Sequence, residues 1–162
     1  MTGFEVRDAV RDEAEEVLHV KNASWRAAYH GLLPDAYLDA LTVTPAQVEH
    51  WQRMIGDRRV LVAEAEGRIA GLSAFGQAEI YAIYVLPEHW STGLGAALMT
   101  RSLRRLRELG YDTAGLWVFE ANPRARRFYE RMGFTLSGRM EIEEGEGFAE
   151  PVVHYHRTIV SP

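Results

Sequence analysis

The strongest local signal for chemistry is the run Pro87-Glu88-His89-Trp90-Ser91-Thr92-Gly93-Leu94-Gly95-Ala96. An apolar, strand-like stretch (residues 80–85) feeds a short glycine loop, and a helical pattern starts directly after it. Such a junction is an anion site, because unpaired backbone N–H groups and the positive end of the helix dipole converge there. Glycine lets a phosphate approach the backbone, since no Cβ stands in the way. Two phosphate motifs fit poorly. The dinucleotide fingerprint needs a third glycine three residues after Gly95, where Leu98 stands. The Walker loop needs Gly-Lys-Ser or Gly-Lys-Thr, and neither triplet occurs.

Hydrophobic periodicity supplies the elements that must position this loop. Residues 4–7 alternate apolar and polar and read as a first strand. Ala14, Val17, Leu18, Trp25, Ala28 and Tyr29 recur at helical spacing, with Gly31 as a stop. Leu33-Pro34 marks a turn before a short helix carrying Tyr37, Leu38 and Leu41. Thr44-Pro45-Ala46-Gln47 is a capping box, and the helix it opens buries Val48, Trp51 and Ile55. Residues 60–65 and 68–75 flank Glu66-Gly67 as a hairpin. Residues 80–85 are apolar nearly throughout, as in a central strand covered on both faces.

A long helix follows the glycine loop, with Ala96, Met99, Leu103 and Leu106 on one stripe and Gly110 as its stop. Residues 113–119 read as the next strand. Asn122-Pro123 caps a helix that buries Ala125, Phe128 and Met132 and stops at Gly133. Two strands, near residues 134–142 and 152–159, finish the chain, with an acidic loop at 143–150 between them. The pattern predicts an α/β fold: a mixed, largely antiparallel sheet of about seven strands flanked by helices on both faces. Hairpin links between successive strands argue against a doubly wound sheet.

The length, 162 residues, fits one domain spanning residues 1–162. The absence of cysteine excludes a disulfide scaffold, a thiolate metal site and a cysteine nucleophile. A net charge of −5 argues against general nucleic-acid binding. No apolar run approaches the roughly 18 residues of a membrane helix. Met1-Thr2-Gly3-Phe4-Glu5 has neither the basic nor the apolar region of a signal peptide, so a cytoplasmic protein is the expectation. His154 and His156 alternate on the last strand without an evident third ligand, so no metal is expected.

A second segment, Val118-Phe119-Glu120-Ala121-Asn122-Pro123-Arg124-Ala125-Arg126-Arg127-Phe128-Tyr129-Glu130-Arg131-Met132-Gly133-Phe134, makes the reading specific. Together the two segments resemble the GNAT superfamily of N-acetyltransferases. Four marks coincide: Ile83-Tyr84-Val85 with Pro87, Gly93-x-Gly95, Asn122, and the run from Phe128 to Phe134. The order of elements also matches that fold over nearly the whole chain. One position departs: Trp90 stands where the family usually has Gln or Arg, three residues before the first glycine. Backbone amides do most of the phosphate binding in the family.

The resemblance implies acetyl-CoA as donor. Ile83, Tyr84 and Val85 would offer main-chain hydrogen bonds to the pantetheine arm, like an added strand. The amides of Ser91, Thr92, Gly93, Leu94, Gly95 and Ala96 would hold the pyrophosphate. Asn122 would contact the pantetheine or help place the acceptor, besides capping its helix. Transfer to an amine needs the amine deprotonated, the developing oxyanion stabilised and the departing thiolate protonated or held. An alkyl amine has a pKa near ~10.4, so a carboxylate near the acceptor both attracts the ammonium and relays its proton. Glu79 is the candidate base: it opens the segment that often carries one, and shares its face by alternation with Tyr81 and Ile83. Tyr129 is the candidate acid. Arg101, Arg104, Arg105, Arg107, Arg124, Arg126 and Arg127 read first as solvated helix faces, and second as contacts to the 3′-phosphate of CoA.

The acceptor pocket is expected to draw on Trp25, Tyr29, Glu79 and Tyr81, with Tyr37 and Trp51 as further walls. Core packing accounts for each of these aromatics taken singly. The acidic loop draws a cationic amine by electrostatic steering, or is simply solvated surface. Polyamines, aminoglycosides, other small-molecule amines and peptide N-termini all fit as partners, whereas nucleic acid and membrane do not. A homodimer through the late strands is an option by analogy with some relatives. The alternative class is a catalytically silent CoA-binding sensor or interaction domain, which would keep the glycine loop and lose the acceptor chemistry.

Overall fold

The computed structural model of the chain describes residues 3–160. Phe4–Asp8 (β1), Val60–Ala65 (β2), Arg68–Gly76 (β3), Glu79–Val85 (β4), Thr113–Phe119 (β5), Thr135–Gly145 (β6) and Phe148–Thr158 (β7) form one sheet. Its order is β1-β2-β3-β4-β5-β7-β6. All neighbours pair antiparallel except β4 and β5. The mixed, mostly antiparallel sheet expected from the sequence is therefore the observed one.

The helices are Ala14–Tyr29 (α1), Asp35–Asp39 (α2), Pro45–Gly56 (α3), Leu94–Glu108 (α4) and Pro123–Arg131 (α5). On one face α1 and α3 bring Val17, Leu18, Trp51 and Ile55 onto Val60, Val62, Leu72 and Ala82. On the other, α4 brings Leu94, Leu98, Met99 and Leu106 onto Leu61, Ile80, Leu116 and Tyr155, with Phe128, Tyr129 and Met132 of α5 alongside. The capping box closes both ways: Gln47 N–H donates to Thr44 Oγ1 at 3.2 Å, and Thr44 N–H to Gln47 Oε1 at 3.0 Å. Asn122 Oδ1 accepts from Ala125 N–H at 3.2 Å and starts α5.

Three expectations need correction. Residues 143–150 are not a loop. β6 and β7 run on as a hairpin to Gly145↔Phe148, and only Glu146-Gly147 turn, with Gly147 at φ 85°. Glutamate is a weak strand former, but cross-strand pairing outweighs that preference here. The central strand β4 is not covered on both faces: Tyr81 is 58% exposed, and Ile83, Tyr84 and Val85 are half-buried. Its neighbour β5 pairs with it only at Glu79↔Gly115. Finally, Ala125, Phe128 and Met132 are half-buried rather than buried, because α5 lies over the same opening.

Candidate active site

Beyond Glu79↔Gly115 the paired ladder of β4 and β5 ends, and a cleft of about 970 Å³ opens beside β4. The main chain of Ile83, Tyr84 and Val85 runs along it with no strand partner on the β5 side. An extended ligand can take the place of the missing strand.

A bulge sets which side chains enter. Phe75 pairs with Ile80 but Ala74 pairs with Ala82, so Tyr81 is the extra residue of β4. Simple alternation fails across that point. Ile80 packs on the α4 face, yet Ala82 and Tyr84 pack on the α1 face, while Ile83 and Val85 return to the α4 side. Glu79 and Ile83 therefore do not share a face, contrary to the alternation argument, although Tyr81 does reach the cleft.

The phosphate end is built as the sequence suggests. Gly93 caps α4 with φ 88°, a left-handed conformation that favours glycine, and no side chain caps the helix start. The first N–H groups of α4 are thus left for an anion. Ser91, Gly93, Gly95 and Ala96 line the cleft, with Thr92 tied back by its hydroxyl donating to His89 O at 2.6 Å. Trp90 Nε1–H donates to Val85 O at 2.9 Å, and the Arg124 guanidinium stacks 3.4 Å from the Trp90 ring centroid. Burial, and the nearby Arg131, lower the Arg124 pKa. An anion there would relieve both effects. Cleft size, open strand edge and unpaired amides all fit a CoA-type ligand.

At the other end phenols gather. Burial pushes the Tyr129 phenol far up, helped by Tyr84 and opposed by Arg124. The Tyr84 phenol is pushed up to about 12, by burial above all. Tyr29 is raised well above its ordinary value, again by burial first. Trp25 meets Tyr29 edge-on at 5.0 Å and Tyr84 at 6.2 Å. Asn122, Tyr129, Trp25 and Tyr29 all line the cleft, so the structure brings these expected residues together.

Glu79 is not among the lining residues. Its Oε2 stands 3.3 Å from His154 Nε2, and His154 Nδ1 is 2.9 Å from Ser137 Oγ. A carboxylate accepts, so Nε2–H donates to Glu79 and Nδ1 accepts from the serine hydroxyl. Trp51 is buried in the α1–α3 core and Tyr37 packs on Phe148, so neither is a wall of the cleft. Of the arginines, Arg105 is buried on Asp8, and Arg101 donates to Val6 O at 3.1 Å. Arg124 and Arg127 do line the cleft.

Sequence reasoning missed the Tyr84 side chain, the Trp90–Arg124 stack and Glu143, which lines the cleft from β6. The last two were unreadable without the fold, since each depends on elements distant in sequence. Among the described residues, no three His, Cys, Asp or Glu side chains are placed to hold a metal, and no helix is long and apolar enough to cross a membrane.

Comparison with known proteins gives concordant results. The acetyltransferase (GNAT) family matches residues 23–134. YuaI of Bacillus subtilis strain 168, an uncharacterized N-acetyltransferase, is 31% identical over 128 residues, covering 73% of each chain. An uncharacterized N-acetyltransferase of Archaeoglobus fulgidus is 32% identical over 137 residues, 78% of this chain and 89% of its own. The PaiA N-acetyltransferase of Thermoplasma acidophilum, solved in complex with coenzyme A, superposes with a TM-score of 0.75 at 19% identity, covering 94% of this chain and 98% of its own.

Proposed function

The chain belongs to the acetyltransferase (GNAT) family and is an N-acetyltransferase, and from that premise we propose that it moves an acetyl group from acetyl-CoA directly to a primary amine of a small molecule or peptide. The observation that carries this reading is the open edge of β4. It runs from the unpaired amides at Gly93 to the buried Tyr129 phenol, so one extended ligand spans both.

Acetyl-CoA supplies an activated thioester and leaves as a thiol. The residues of this chain do the rest. The amides of Ser91 to Ala96 hold the pyrophosphate, and Arg124 lies beside them to neutralise charge. The backbone of Ile83, Tyr84 and Val85 aligns the pantetheine arm as a strand. Asn122 holds the start of α5 and so fixes where Tyr129 stands. The Tyr129 hydroxyl, kept protonated by burial, donates its proton to the departing sulfur. The carboxylate that takes the proton of the incoming amine is Glu79, and because Glu79 stands outside the cleft lining, that proton passes through an intervening water. His154 fixes the Glu79 carboxylate from its far side.

Free-thiol release from acetyl-CoA against a panel of polyamines, aminoglycosides, amino acids and short peptides tests this reading. The chain has no cysteine, so a thiol reagent sees only product. Amine-dependent release supports the transferase. Tight CoA binding without release for any amine would favour the silent CoA-binding domain.

A further inference from the structure

The cleft is electrically polar. Arg124, Arg127 and Arg131 line one end of it, and Glu141, Glu143 and Glu144 line the other. The arginines stand at the phosphate end. The glutamates come from β6, where Glu141 pairs with Val152 and Glu143 with Glu150. That register turns Glu141 and Glu143 toward the α1 side, where Tyr29 and Trp25 gather.

Glu143 differs from its neighbours. It acts electrostatically on both Tyr29 and Tyr84, so its carboxylate stands close to the phenols. Tyr129 instead senses Tyr84 and Arg124. The aromatic group therefore lies between the proton donor and the carboxylate. Among the described residues no basic side chain pairs with Glu143, and the residue opposite it on β7 is another glutamate. Burial raises its carboxyl pKa. Ser24, on the same cleft wall, is 2% exposed, and its hydroxyl has no hydrogen-bond partner. A desolvated, unpaired carboxylate against electron-rich rings, beside an unsatisfied hydroxyl, is a site for an organic cation.

We propose that Glu143 holds a second positive charge of the acceptor against the Trp25–Tyr29–Tyr84 wall, so that the enzyme prefers small aliphatic di- or polycations over monoamines of equal length. This rests on the transferase reading above and specifies its substrate class. The amine that reacts sits toward Tyr129, while Glu143 binds the distal ammonium and takes no part in bond making.

The test compares aliphatic α,ω-diamines with monoamines of matched length, in the wild-type enzyme, Glu143→Gln and Glu146→Gln. Glu146 lies in the exposed hairpin turn, outside the cleft lining, and controls for the general field of the acidic hairpin. The expected result is a kcat/KM for diamines about tenfold above monoamines, lost in Glu143→Gln chiefly through KM. Monoamine turnover and Glu146→Gln remain near wild type. Equal loss for both amine classes, or an equal fall in Glu146→Gln, overturns the proposal. Calorimetry of diamine binding to the CoA-loaded protein separates the two readings. Glu143-dependent binding without any turnover upholds this site and refutes the transferase reading. Turnover of diamines indifferent to Glu143 does the reverse.

Discussion

The Arg124 guanidinium lies 3.4 Å from the centroid of the Trp90 ring, and that ring is itself held by a 2.9 Å hydrogen bond from its Nε1–H to Val85 O. The indole occupies the position where related enzymes usually carry Gln or Arg, and a second element supplies a positive group over it. Arg124→Ala should raise the dissociation constant for CoA about tenfold with little change in melting temperature, the loss expected for one partly exposed charge–phosphate contact. Arg124→Lys should recover only part, because an ammonium neither stacks nor forks. An unchanged CoA affinity in Arg124→Ala would restrict phosphate binding to the backbone.

Tyr129 should behave as a donor whose proton is never in short supply. Burial, helped by Tyr84, raises its phenol far above the assay range, so the protonated form persists through mildly alkaline pH. Tyr129→Phe keeps the ring, which stands 5.4 Å from Phe128 and 6.2 Å from Phe134. The expected outcome is a kcat lower by about 10²–10⁴ with CoA affinity and melting temperature retained. Unaltered kcat would mark Tyr129 as packing.

Glu79 is tested by a split between turnover and binding. Glu79→Gln keeps the size of the side chain and its place beside His154 Nε2, 3.3 Å away. Turnover should fall by about 10²–10⁴ while CoA affinity stays near wild type, since the carboxylate is far from the phosphate loop. Wild-type turnover in this variant would remove Glu79 from the mechanism.

Local signals in the sequence were enough for the elements. The capping box at Thr44, the Asn122-Pro123 start and the Glu66-Gly67 turn each carry their own chemistry within four residues, and all stand where expected. The loop around Gly93 was legible for the same reason. What failed was inference by period. Alternation from Glu79 to Ile83 breaks at the Tyr81 bulge, which is defined by pairing with β3 and has no marker in β4 itself. The acidic hairpin was hidden because its strand character comes from cross-strand partners, not from glutamate's preference. Trp51 and Trp25 are the same residue type at similar helical positions, yet one enters the core and the other the cleft. Only the separation of β4 from β5 decides between them.

The placement of α4, and with it the phosphate loop at its start, depends on an ion pair at its far end. Arg105 donates to Asp8 Oδ1 at 2.8 Å and to Arg58 O at 2.9 Å, and Arg58 donates to Asp8 Oδ2 at 3.1 Å. Burial pushes the Asp8 carboxyl up, but hydrogen bonds from Arg105 and Arg58 outweigh it and leave the pKa lowered. A carboxyl lowered in the folded state stabilises it fully above the unfolded pKa, near ~3.9, and that contribution is lost as pH falls through the folded pKa. Asp8 is 35% exposed at its side chain, so screening limits the effect to about 1–2 kcal/mol. Asp8→Asn should therefore unfold at lower denaturant than wild type at pH 7, and the gap should close in strong acid, once the wild-type carboxyl is protonated too. Equal destabilisation at both pH values would assign the loss to packing. If the ion pair holds α4 in place, CoA affinity at pH 7 should weaken in the same variant, though Asp8 lies outside the cleft lining.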